Sequence, residues 1–250
     1  MSSSDTPVVL ITGGGAGIGR AAARRFAAQG ARVVITGRRQ SALETAAADH
    51  PAIGFVVADA GRAADAERTV QETLDRHGRL DVLVNNAGAG AILPLADATA
   101  ERIREIFDIN VVGPSLLARA ALPHLKRSRG HIVNVSSTFG HKAAAALSHY
   151  AGSKAALELM TKCWALEFAP DGIRVNAIAA GPTDTDFLTE RMQLSEEQAE
   201  QVRAQERASI PLARRGTPDD VAAWIVTLAS SAGAWVTGQV ITVDGGLDAT

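Results

Sequence analysis

Seven short runs rich in β-branched residues recur along this chain, and between successive runs lie longer stretches with alanine and leucine at helical spacing. No other feature constrains the fold as strongly, because strands alternating with helices build βαβ units and a parallel sheet. The runs read "PVVLITG", "ARVVITG", "IGFVVAD", "LDVLVNNAG", "GHIVNVSS", "GIRVNAIAAG" and "GQVITVDGG". Most are continuously apolar, as strands are when helices cover both faces of a sheet. Right-handed crossovers of these lengths predict one α/β domain over residues 1–250, a doubly wound parallel sheet of seven strands with helices on both faces.

One segment breaks the rhythm. Residues 186–210, "DFLTERMQLSEEQAEQVRAQERASI", are charged, helix-prone and inserted between the sixth and seventh runs. They fall at the carboxyl edge, where open α/β sheets bind ligands, so a lid over a substrate site is expected ahead of a merely solvated helix. A net charge of -2 leaves no general field to attract nucleic acid or an anionic membrane. No run approaches the ~20 apolar residues that cross a bilayer, and the opening "MSSSDTPVVLITG" lacks a basic, cleavable leader pattern. The single cysteine, Cys163, excludes a disulfide within the chain and fits a reducing compartment. The expectation is a cytoplasmic protein acting on a small molecule, with Cys163 a buried small hydrophobe beside Trp164.

The first strand runs into "TGGGAGIGR", Thr12–Arg20, and then directly into a helix, with five glycines in the seven residues from Gly13 to Gly19. Glycines let backbone amides approach phosphate oxygens, and a helix amino terminus adds partial positive charge. In this position the loop points to a dinucleotide, with Gly13, Gly15, Gly17, Ile18 and Gly19 as its contacts. The end of the second strand reads the adenosine ribose: an acid favours a free 2′-hydroxyl, arginine a 2′-phosphate. Here stand Arg38 and Arg39, suited to bidentate phosphate contact, which favours NADP(H) over NAD(H).

Five stretches in this order, "TGGGAGIG", "NNAG" at Asn85–Gly88, the strand ending "NVSS", "YAGSK" and the closing "TGQVITVDGG", resemble the short-chain dehydrogenase/reductase family over essentially the whole chain. The resemblance implies a Rossmann-type fold and an oxidoreductase that reversibly reduces a ketone or aldehyde to an alcohol with NADPH. It also implies a homotetramer, with the helices of residues 99–127 and 148–168 and the last strand at interfaces. Position by position, Tyr150 matches the family's acid/base, Lys154 its partner, Ser137 the serine that orients the substrate oxygen, and Asn110 the asparagine that holds a proton-relay water. Gly13, Gly17 and Gly19 would line the pyrophosphate, Asp59 would meet the adenine amine, and Asn86 and Gly88 lie in the cofactor-supporting turn. Thr185 matches the threonine at the nicotinamide carboxamide, with Gly181 and Thr183 in the same loop. Ala180 stands where the family usually has proline. Two other readings are an NAD-dependent alcohol dehydrogenase working oxidatively and a dinucleotide-sensing regulator without turnover.

The residue types suit the chemistry. Hydride comes from the cofactor, while the protein supplies a proton and an orientation. A phenol has an ordinary pKa of about 10, and a nearby ammonium favours the phenolate, so Lys154 one turn after the only tyrosine is expected to lower the Tyr150 pKa. Both Ser136 and Ser137 could point at the same oxygen from the fifth strand; the resemblance selects Ser137. Gly113 and Pro114 predict a helix irregularity that frees the Asn110 carbonyl. His141 and His149 have no third ligand at metal spacing, so they are read as pocket wall or surface and no metal is expected. Wall segments "AGAILPL", "TFGHKAAAALSH" and residues 186–210 carry no evident basic clamp, which points to a neutral, fairly apolar carbonyl substrate.

Overall fold

In the computed structural model the described residues are 6–250; the start of the opening segment read above, residues 1–5, lies outside them. Each of the seven apolar runs forms a strand: β1 (Val8–Thr12), β2 (Arg32–Gly37), β3 (Ile53–Val57), β4 (Val82–Asn85), β5 (His131–Ser137), β6 (Arg174–Ala180) and β7 (Val240–Val243). They pair in parallel in the order β3-β2-β1-β4-β5-β6-β7. The order reverses between β1 and β4, and such a switch point opens a crevice at the carboxyl ends of the strands.

Side chains alternate across this sheet, which explains the continuous apolar runs. Val9, Ile11, Val33, Ile35, Val84 and Val133 pack on one face, against α1 (Gly17–Ala28) and α9 (Pro218–Ala229). Leu10, Val34, Leu83, Ile132 and Val175 face the other way. Their partners come from α3 (Ala63–His77), α5 (Gly113–Ser128) and α6 (Ser148–Phe168), including Val70, Leu117, Leu125 and Phe168. A short α2 (Gln40–Ala47) follows β2.

The helical pattern at residues 99–127 is broken as expected. After α4 (Ala100–Phe107) comes a π turn, Asp108–Val112, before α5 begins at Gly113 with Pro114 in its first turn. The 186–210 segment forms α7 (Phe187–Glu190) and α8 (Glu196–Ser209), the latter held by a capping box in which Ser195 and Gln198 satisfy each other's backbone amides. Cys163 departs from expectation: it is exposed. The buried residues of α6 are Tyr150, Ser153, Lys154, Leu157, Glu158, Thr161, Ala165 and Phe168, and this three-to-four spacing puts position 163 on the opposite side of the helix.

Candidate active site

The crevice at the switch point is a cavity of about 440 Å³. Gly13, Gly15, Gly17 and Ile18 line it from the turn after β1, Arg38 and Arg39 from the end of β2, and Asn86 and Gly88 from the turn after β4. Ser137, Tyr150 and Lys154 close it from β5 and α6, and Gly181, Thr183 and Thr185 from the loop after β6. Hydrogen bonds explain why two turns distant in sequence meet here. Thr12 Oγ1 accepts from the amides of Asn86 and Ala87 at 3.0 and 2.9 Å, while Asn86 Nδ2 donates to the carbonyls of Thr12 and Gly13 at 2.9 and 3.1 Å. Gly13 completes the turn at a φ of 66°, a conformation that side-chain-bearing residues avoid.

Three expected residues lie outside the cavity wall. Gly19 packs instead of lining: a Cβ there would sit 2.4 Å from the Gly13 carbonyl oxygen, so glycine is what lets α1 approach the turn. Asp59 borders a smaller neighbouring cavity, its Oδ1 accepting from the Gly61 amide at 3.0 Å. Asn110 is buried beneath the wall. Its Oδ1 accepts from the Ala89 amide at 2.9 Å, and its Nδ2 donates to the Ala89 carbonyl and Ser153 Oγ at 2.8 and 2.9 Å.

Tyr150 is buried, and the burial pushes its pKa above the ordinary value, opposed in part by a hydrogen bond with Ser137. Ser137 Oγ in turn accepts from the Phe139 amide at 3.2 Å, which leaves its own proton for the phenol oxygen. The expected lowering by Lys154 is not met. Desolvation of the buried phenol sets the direction, while the ammonium donates to the Val135 carbonyl at 2.9 Å. Burial also brings Lys154 down to about 8, with Glu158 pulling the other way. Ser136 lines the cavity as well, and its hydroxyl donates to Glu158 Oε1 at 2.7 Å.

Residues 13–248 match the profile of a family described as enoyl-(acyl carrier protein) reductase. The chain is 42% identical over 248 residues to ketoacyl reductase 2 assigned to the granaticin polyketide synthase of Streptomyces violaceoruber, covering 97% of this chain and 96% of that protein. Its fold is similar to a short-chain dehydrogenase/reductase of Caenorhabditis elegans solved with cofactor, at a TM-score of 0.91 and 32% identity over 99% of this chain and 97% of that one. The chain belongs to the short-chain dehydrogenase/reductase family. Among this family's solved members, the 3-ketoacyl-(acyl-carrier-protein) reductase of Brucella melitensis complexed with NADH is also similar, at a TM-score of 0.90 and 35% identity over 97% and 98% of the two chains.

This short-chain dehydrogenase/reductase also has cavity residues that sequence reasoning passed over. Phe187, at the start of α7, places its ring centroid 6.1 Å from that of Tyr150. Arg191, Glu206 and Arg215 line the cavity as well. Arg215 is buried, its side chain only 3% exposed; it pairs with Glu206 of α8, donates to Asp184 Oδ1 at 2.7 Å and to the Thr183 carbonyl at 2.5 Å. Residues 186–210 are thereby joined to the loop that carries Thr183 and Thr185. His141 stands apart from the cavity wall, bridging Glu158 and Asp248 at 3.1 and 3.3 Å. Among the described residues no cluster of three metal-ligating side chains occurs, and no helix is long and apolar enough to cross a membrane.

Proposed function

We propose that the chain is an NADP(H)-dependent ketoreductase that reversibly reduces a neutral, largely apolar ketone or aldehyde to an alcohol. The observation that carries this reading is the hydrogen-bonded pair Ser137 and Tyr150 in the wall of the cavity that the glycine turn also lines. A pyrophosphate suits that turn. Gly13 and Gly17 both hold positive φ, and the first turn of α1 contains no acidic side chain to compete for its amides. Arg38 is our choice for the 2′-phosphate, Asp59 for the adenine edge, and Thr185 with Thr183 and Gly181 for the nicotinamide end.

Bound there, the nicotinamide supplies hydride to the carbonyl carbon. With substrate bound, Ser137 turns its one hydroxyl proton from the phenol to the carbonyl oxygen, and Tyr150, held protonated by its burial, gives that oxygen its proton. Lys154, an ammonium below a pH of about 8, stabilises the phenolate left behind. Asn110 holds the Ala89 backbone and Ser153 beside the reacting groups. Residues 186–210 form the lid. Phe187 and Met192 sit within van der Waals reach of a Cβ placed on Gly90, an apolar contact between this segment and the loop after β4. Exposed Leu159 and Leu166 on α6 support a homotetramer through that helix.

A second reading, an NAD-dependent dehydrogenase, is favoured by the NADH bound to the Brucella relative. Initial rates with NADPH and NADH across ketones, ketoesters, steroids, sugars and acyl thioesters separate the two. Preference for NADPH, its loss in Arg38→Asp and loss of turnover in Tyr150→Phe are the expected results. Unchanged NADPH turnover in Tyr150→Phe would sink the catalytic assignment.

A further inference from the structure

The cavity wall beside Arg38 carries more positive charge than the end of β2 alone supplies. Arg38, Arg39 and Arg191 all line it, and Arg191 belongs to the lid segment, directly after α7. Arg39 is neutralised within the protein, since it donates to Glu190 at 2.5 Å. Among the described residues, the side chains of Arg38 and Arg191 have no such partner. Other lid arginines differ: Arg203 pairs with Glu196 and Glu200, and Arg207 with Glu200. An arginine partly withdrawn from water with no acid in direct contact is costly unless an anion completes it. Burial, and next to it the field of Arg38, hold the Arg191 pKa below its ordinary value, and the more distant charges of Glu190 and Asp59 offset this only in part.

We propose that Arg191 is the lid's own contact to the 2′-phosphate of NADP(H), so that the phosphate bridges Arg38 on the sheet and Arg191 on the lid and draws residues 186–210 closed. This rests on the NADP(H) reading above and adds to it: cofactor choice and lid closure become one event. A phosphate dianion can accept fork-shaped hydrogen bonds from two guanidinium groups at once, which a ribose hydroxyl cannot. The salt bridge from Arg39 to Glu190 brings the end of α7, and Arg191 with it, beside the start of α2 and the end of β2 that carries Arg38.

The test is direct binding by the full chain, with hydrogen exchange as a second readout. Arg191→Ala should weaken NADPH binding by about tenfold while leaving NADH binding unchanged, and Arg191→Lys should recover part of the loss. In the unsubstituted protein, adenosine 2′,5′-bisphosphate should protect amides of residues 187–209 from exchange, and adenosine 5′-monophosphate should not. If the unsubstituted protein binds NADPH no better than NADH, the parent reading fails and this one with it. If it prefers NADPH and Arg38→Ala removes that preference but Arg191→Ala does not, the parent reading stands and the lid contact is overturned. Equal protection by the two adenosine phosphates also overturns it.

Discussion

Arg215 offers the sharpest test of how residues 186–210 are held against the sheet edge. Arg215→Met removes a buried guanidinium with three partners: Glu206, Asp184 and the Thr183 carbonyl. Their shares are unequal. The Asp184 side chain is 60% exposed, so its pair with Arg215 contributes under about 1 kcal/mol. Glu206 is only 19% exposed, and stranding such a carboxylate costs about 3–5 kcal/mol, the usual result of removing one partner of a buried pair. For a domain of this size, 2–4 °C per kcal/mol makes the expected fall in Tm roughly 10 °C. The loss should also depend on pH. Burial already raises the Glu206 pKa and Arg215 opposes that rise, so without Arg215 the folded state takes up a proton more readily. A raised pKa adds stability as pH falls, so the penalty is large at pH 8 and small at pH 5. Urea melts at both pH values, at one protein concentration, measure it. Arg215→Met with Glu206→Leu should recover most of the loss, because an apolar pair leaves no charge stranded. A cost under about 1 kcal/mol at pH 8, or a double variant no more stable than Arg215→Met, would refute the reasoning.

Two further outcomes follow from the site. The kcat/KM for reduction should fall as pH rises past about 8, where free-enzyme Lys154 gives up its proton; Glu158→Gln, which removes the field that raises Lys154, should move that limb to lower pH, and a limb that stays in place counts against the coupling. Gly19→Ala would put a methyl group 2.4 Å from the Gly13 carbonyl and 2.5 Å from Asn86 Nδ2, so about 1–3 kcal/mol of stability should be lost together with cofactor affinity; a variant that melts like the parent chain argues against the close packing of α1.

What the sequence made legible was written locally. Continuous apolar runs reveal strands covered on both faces, a glycine cluster between strand and helix reveals an anion cradle, and an i, i+4 pair reveals a shared helix face. Tyr150, Lys154 and the glycine turn were visible for that reason. Burial of a charge is not local. The segment "SEEQAEQVRAQERAS" shows four glutamates and two arginines, and nothing in it marks Glu206 as the one that meets Arg215 inside the wall. The Tyr150 pKa was misjudged for the same reason: the sequence shows a neighbouring lysine but not the desolvation that outweighs it. Cys163 went wrong because which side of α6 docks on the sheet is a tertiary fact, not a property of its neighbours in sequence.

Asn110 shows how a local irregularity reaches Tyr150. Pro114 has no amide hydrogen, so the Asn110 carbonyl lacks the donor that a continuous helix would give it four residues on. The chain answers with the π turn Asp108–Val112, and Gly113 then passes so close to the Ala60 carbonyl that a Cβ would collide with it. This turn sets the Asn110 side chain under the loop after β4. From there a chain of bonds runs from the Ala89 backbone through Asn110 to Ser153 Oγ, and from Ser153 Oγ to the Tyr150 carbonyl at 2.7 Å. The loop that ends the switch-point crevice and the first turn of α6 are therefore one bonded unit. The position of the Tyr150 backbone, and with it the reach of the phenol toward Ser137, depends on a proline and a glycine that touch neither.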